Sequence, residues 1–143
     1  MIQNKKIAVD FDGTIVDDAY PSIGKPKIFA FETLKKLQSE GYRLILWTYR
    51  QGQSLQEAIE FCKKKGVEFY SVNSSFEGEL FDSETQSRKI DADLFIDDRN
   101  LGGFPGWGEI YKIINEGIEF RVEGSEVLAY SKMKKDKKKG LFW

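Results

Sequence analysis

Asp10, Asp12, Asp17 and Asp18 follow directly on the apolar run Ile7–Val9, and a second acidic pair, Asp97 and Asp98, closes the run Leu94–Ile96. Residues two apart in an extended segment point the same way, so Asp10 and Asp12 can face one ligand while Phe11 turns to the core. Like charges gathered this closely are unfavourable unless a cation or protonation relieves them. A few carboxylates completed by water and phosphate form an oxygen-only donor set, which suits Mg²⁺. Any one of these aspartates alone is better explained as a turn or helix-cap residue. All of them at the ends of expected strands, with Thr48 ending another, point instead to a metal-assisted site.

The elements that must position these groups can be read from patterning. Lys6–Val9, Leu44–Trp47, Val67–Val72 and Leu94–Ile96 read as strands; those around Ile7 and Leu44 are continuously apolar, as strands buried on both faces are. Pro26–Gln38 reads as a helix with Ala30, Phe31, Leu34 and Leu37 on one stripe and a stop at Gly41. A second helix, capped by Ser54, carries Leu55, Ala58, Ile59 and Cys62, and a third carries Trp107, Ile110, Tyr111 and Ile114. Cys62 on such a stripe is expected to be a small core residue, not a reactive thiol. Asn73–Ser87 is polar and reads as loop with a helical turn or two, and LGGFPGWG is a loop. A fifth strand over Ile118–Val122 and a terminal helix from Ser125 to about Lys135 complete the pattern, dividing the chain into a catalytic domain (1–124) and a C-terminal helix and tail (125–143). Strand–helix alternation predicts an α/β fold, a mostly parallel sheet between helices in an α/β/α sandwich. Such sheets bind ligands at the carboxyl ends of their strands, at a topological switch point.

Composition narrows the chemistry. A chain of 143 residues with 41% apolar and 14% aromatic content is expected to fold as one globular unit. No apolar run approaches a membrane span and MIQNKK does not open a signal peptide, so no membrane partner and a cytoplasmic location are expected. The single cysteine excludes an internal disulfide. The absence of histidine removes His-based triads, His metal ligands and phosphohistidine chemistry. The net charge of −1 hides an asymmetry, because Lys132–Lys139 (KMKKDKKK) is strongly basic and the remainder acidic. Such a run could attract nucleic acid, but a solvated tail is the expected reading, and an acidic globule is a poor general nucleic-acid binder.

With these residues in view, the chain resembles the haloacid dehalogenase-like superfamily. DFDGT (Asp10–Thr14) resembles its first motif, D-x-D-x-T/V; Thr48 after LILW resembles the second; Ile96–Asp98 resembles the fourth; Lys89 is the best candidate for the basic third. The resemblance spans residues 6 to about 100, in the family's order. It implies a Rossmann-like core and phosphate ester hydrolysis through an aspartyl-phosphate, with Asp10 as nucleophile and Asp12 as general acid and base. Mg²⁺ would be held by the Asp10 carboxylate, the Asp12 backbone carbonyl and Asp97, supported by Asp98. Thr48 would hydrogen-bond the phosphoryl group of a phosphorylated substrate, and Lys89 would neutralise its charge, with the adjacent Arg88 as the alternative. Gly13 would permit the tight turn. Asp12 favours hydrolysis of phosphate esters over dehalogenation. Arg50 and Arg99, which follow Thr48 and Asp98, are candidates to contact a substrate anion, a solvated role being equally open.

The intervals between motifs leave no room for a cap domain, so an open site is expected, rimmed by Asp17–Lys25, Asn73–Ser87 and Leu101–Gly108. Phe76, Phe81, Phe104 and Trp107 in or beside these loops are expected to pack them down more than to touch substrate. Three rivals remain at this level. A receiver-type signalling module would place its phospho-accepting aspartate on a middle strand, where this chain has Val72 and Asn73. A catalytically silent binding protein would be expected to have lost its nucleophile. A nucleic-acid phosphatase would rest on the six lysines of the tail.

Overall fold

The computed structural model describes residues 5–116, so the expected fifth strand, the terminal helix, the Lys-rich run and the boundary at residue 124 lie outside the described residues. The chain divides after Trp107 into two compact units, Met1–Trp107 and Gly108–Trp143. Every group of the site described below belongs to the first.

Among the described residues the strands are β1 (Lys6–Val9), β2 (Arg43–Leu46), β3 (Ser71–Val72) and β4 (Leu94–Ile96), all parallel in the order β3-β2-β1-β4. The helices are α1 (Ala30–Ser39), α2 (Gly52–Lys64) and α3 (Trp107–Asn115). The fold is therefore α/β with a parallel sheet. No helix among the described residues is long and apolar enough to cross a membrane.

The chain runs from β1 outward through β2 to β3, then returns to add β4 on the other side of β1. The order in which strands are added thus reverses between β1 and β4, and the carboxyl ends of these two strands flank the crevice where α/β sheets bind ligands. In register, Ala8 lies between Ile45 and Phe95, and Val9 between Leu46 and Ile96. One core cluster joins Ala8, Ile45 and Ile90 with Trp47, Tyr70, Ala92 and Phe95. On α1 the buried positions are Ala30, Phe31, Thr33, Leu34 and Leu37, and on α2 they are Ala58 and Cys62. The Phe61 ring on α2 meets Phe31 of α1 and Phe11 edge-on, at centroid distances of 6.0 and 6.4 Å. Both helices end alike: Gly41 and Gly66 take positive φ, and the next residues, Tyr42 and Val67, donate back to Leu37 and Cys62.

Four boundaries differ from those expected, the smallest being β2, which runs Arg43–Leu46 and not Leu44–Trp47. α1 starts at Ala30, not Pro26, because the preceding segment pairs with the chain leaving β1: Asp17 N–H donates to Lys25 O and Lys27 N–H to Ile15 O. Phe29, at φ 66°, then enters the helix from the left-handed region. Ser54 does not cap α2; the helix begins at Gly52, and the Ser54 hydroxyl donates to the Gln51 carbonyl. β3 is shorter than Val67–Val72, since the Val67 N–H is already engaged by the end of α2 and only Ser71 and Val72 pair with β2. Asn73–Ser87 forms turns without a helix.

Ile45 lies at the centre of the Ala8 cluster and is fully buried. Ile45→Ala is expected to lower the unfolding free energy by about 2–5 kcal/mol. Ile28→Ala, at a side chain that is 77% exposed, is expected to change it by no more than about 0.5 kcal/mol. Urea titration of the two variants checks the contrast.

Candidate active site

The carboxyl ends of β1 and β4 bring Asp10, Asp97 and Asp98 together. Each offers a carboxylate oxygen, and these oxygens lie within 4.8 Å of one another. The Asp10 N–H donates to Ile96 O at 3.0 Å, so the β1–β4 ladder extends to the first residue of the cluster. Asp97 is fixed by the Arg99 N–H, which donates to its Oδ1 at 2.9 Å.

Thr14 ties the cluster together. Its buried hydroxyl accepts the Asp98 N–H at 2.9 Å and stands 3.0 Å from both Asp10 Oδ2 and Asp98 Oδ1. With one proton to give, that hydroxyl serves one carboxylate at a time. Its backbone carbonyl accepts the indole N–H of buried Trp107 at 2.7 Å. Gly13 makes the close approach possible. It sits at φ +89°, and a Cβ there would stand 2.6 Å from Asp98 Oδ2. A side chain at this position is excluded twice, by backbone conformation and by the carboxylate over it.

Burial, and then the negative charge of Asp97, push the Asp10 carboxyl up to about 7; Asp98 adds to this, and the Thr14 hydroxyl and the Phe11 N–H pull the other way. The cluster is therefore short of positive charge. Its donor set is hard oxygen only, which fits a divalent cation such as Mg²⁺ and relieves the repulsion between the groups. The Asp12 carboxylate lies outside this triad.

Asp12 is held by Arg50 in a two-pronged ion pair, Nε to Oδ2 and Nη2 to Oδ1, each at 2.7 Å. This corrects the expectation for Arg50. It is 1% exposed, and all five of its N–H groups are taken by Asp12 and by the carbonyls of Pro21, Ser22 and Ser54, so it has none left for a substrate anion.

Beside the triad opens a cleft of about 1030 Å³ lined by Asp10, Asp12, Thr48, Arg88, Asp97 and Arg99 together with aromatic side chains. Thr48 stands as expected on this wall; its N–H donates to Asn73 Oδ1 at 2.8 Å, and its hydroxyl oxygen accepts the Arg50 N–H at 3.1 Å. Arg99 reaches the cleft as well. Lys89 does not line it: its ammonium lies 5.8 Å from the Phe95 ring centroid, whereas Arg88 does line it, 4.6 Å from the Phe81 ring centroid. Of the two adjacent basic residues it is thus Arg88, not Lys89, that reaches the cleft beside Arg99. Adjacent residues in an irregular segment diverge in direction, and no periodicity here could choose between them. Phe104 and Trp107 pack edge-on against each other, as expected of loop-packing aromatics, while Phe81 lines the cleft.

Sequence reasoning missed several residues. Thr14 belongs to the first motif, and nothing in its spacing points to the bracing role it takes. Tyr49, 89% exposed between Thr48 and Arg50, lines the cleft, as do Tyr20, Trp47 and Asn73. Asn73 ends β3 in the left-handed conformation at φ 52°, a position that favours asparagine; its place just after an expected strand was the available signal.

No family model and no curated protein matches the chain. A solved structure of a conserved protein from Bacteroides thetaiotaomicron is similar to it, with 54% sequence identity and a TM-score of 0.76 over 82% of this chain and 95% of that one. The chain belongs to that protein's family.

A carboxyl raised from 3.8 to about 7 favours the folded state when protonated. Its contribution is complete below about pH 4 and is lost as pH rises through about 7. Asp10→Asn cannot ionise and escapes that loss. Without divalent cation at pH 8, the variant is expected to be more stable than wild type by about 1–2 kcal/mol, a figure reduced for solvent screening of a carboxylate that is not fully buried. The gap should close toward pH 4. Thermal melts across this range check it, and equal midpoints at pH 8 would contradict it.

Proposed function

We propose that the protein is an Mg²⁺-dependent phosphohydrolase of the haloacid dehalogenase-like type, acting on phosphate monoesters through an aspartyl-phosphate. The observation that carries this reading is the Asp10–Asp97–Asp98 cluster at the β1–β4 reversal, with Thr48 and Arg88 on the adjoining cleft wall. The fold that accompanies the reading is a Rossmann-like α/β/α sandwich without a cap domain.

In this mechanism the Asp10 carboxylate attacks phosphorus in line and the bond to the leaving oxygen breaks, giving an acyl phosphate on Asp10. Asp12 gives a proton to the leaving oxygen. It then takes one from the water that attacks the phosphoenzyme, so inorganic phosphate leaves and Asp10 is regenerated. A positioned acid–base group of this kind contributes about 10²–10⁴-fold. The Thr48 hydroxyl donates to a phosphoryl oxygen, and Arg88, in place of Lys89, offsets charge on the transferring group. Mg²⁺ held by Asp10, Asp97 and the Asp12 carbonyl, with Asp98 in support, would supply charge neutralisation between an anionic nucleophile and an anionic ester. Half-exposed Tyr20 and Phe81 and open Tyr49 at the cleft leave it accessible to a substrate larger than the phosphoryl group alone.

The receiver and silent-partner readings gain no support from a cluster in which Asp10, Asp12 and Thr48 all line one cleft. The test is hydrolysis of para-nitrophenyl phosphate. Wild type is expected to turn it over with Mg²⁺ and to stop on chelation, and Asp10→Asn is expected to lose about 10³-fold or more in kcat. Turnover that survives either treatment contradicts the mechanism.

A further inference from the structure

Arg50 is buried, yet it touches three separate segments. Its Nε and Nη2 hold Asp12 in the turn after β1, its Nη1 donates to the Ser54 carbonyl in the first turn of α2, and Nη1 and Nη2 reach the carbonyls of Pro21 and Ser22. The guanidinium also lies over two aromatic rings, 5.1 Å from the Phe11 centroid and 5.2 Å from that of Tyr20. Tyr20 and Asp12 both line the cleft. One side chain out of reach of substrate therefore joins two that face it.

We propose that Arg50 is the positioning residue for Asp12, fixing the carboxylate's direction at the cleft wall and coupling it to the Tyr20–Ser22 segment. The inference rests on the phosphohydrolase reading, in which Asp12 moves the proton. An arginine fork pins both oxygens of a carboxylate in one plane, a constraint that a lysine ammonium cannot reproduce. In the resting geometry both Asp12 oxygens are occupied by Arg50. To deliver a proton to the leaving oxygen Asp12 must first carry one, so one of those two bonds opens to admit it, while the other and the backbone contacts of Arg50 keep the group in place. The competing account is a structural clamp: a buried guanidinium needs a partner in any case, and the three carbonyls and Asp12 provide it.

The two accounts differ in leaving-group dependence. Para-nitrophenolate departs without a proton, whereas the alkoxide of β-glycerophosphate needs one, and kcat/KM reports the transfer to Asp10 before the second step that both esters share. With Mg²⁺ present, Arg50→Lys is expected to lose about 10²-fold in kcat/KM on β-glycerophosphate and less than tenfold on para-nitrophenyl phosphate. Added guanidinium is expected to restore part of the alkyl-ester activity of Arg50→Ala. An equal fall on both esters in a folded variant overturns the inference, and so does failure of both variants to fold, which assigns Arg50 to the clamp alone. Wild-type protein that hydrolyses neither ester overturns the phosphohydrolase reading itself, an outcome distinct from these.

Discussion

Parallel pairing of β1 with β4 forces carboxylates together, and the surrounding structure answers to that repulsion. The ladder continues to the Asp10 N–H, so Asp10 cannot drift from the end of β4 without breaking a bond of the sheet. Thr14, Gly13 and Trp107 then act in sequence. The glycine admits the Asp98 carboxylate, the threonine hydroxyl takes the Asp98 N–H and stands against both acids, and the indole holds the threonine's own carbonyl. None of these contacts supplies a positive charge. The neutral donors limit the repulsion without removing it, and burial first, then that remaining repulsion, raises the affinity of Asp10 for a proton.

Two residues along the same strand end, the electrostatics reverse. Asp12 rests on a guanidinium while Asp10 sits among anions. The two acid groups, side by side, thus meet opposite surroundings, one short of positive charge and the other paired with it. Phe11 between them is buried and meets Phe61. A parallel sheet whose order of strand addition reverses at β1 therefore delivers both the acidic cluster and its neighbour to one crevice.

What could be read from the chain was what local pattern specifies. β1 and β4 announce themselves as short apolar runs ending in aspartate, and their shared end follows once the sheet is taken as parallel. The stripe on α1 is legible from Ala30 to Leu37, and its start is not, because Lys25, Pro26 and Lys27 pair with Ile15, Val16 and Asp17 through contacts no periodicity encodes. Ser54 looked like a cap on composition alone, while backbone geometry starts α2 two residues earlier. Arg50 was the clearest misreading. A basic residue beside Thr48 suggests anion binding, but its burial depends on carbonyls from a distant loop. The choice between Lys89 and Arg88 turned on side-chain direction in an irregular segment, which sequence does not carry. Thr14 was visible as a letter in a motif, and its function as a brace emerges only when Asp98 is brought to it.

The sole thiol of the chain tells a separate story. Cys62 lies fully buried on α2, and burial pushes its ionisation up to about 12. An alkylating or oxidising reagent meets a neutral sulfhydryl behind packed side chains, so derivatisation must wait for the helix to lift away. Trapping of that sulfur by a thiol reagent would therefore act as a clock for opening of the α2 layer.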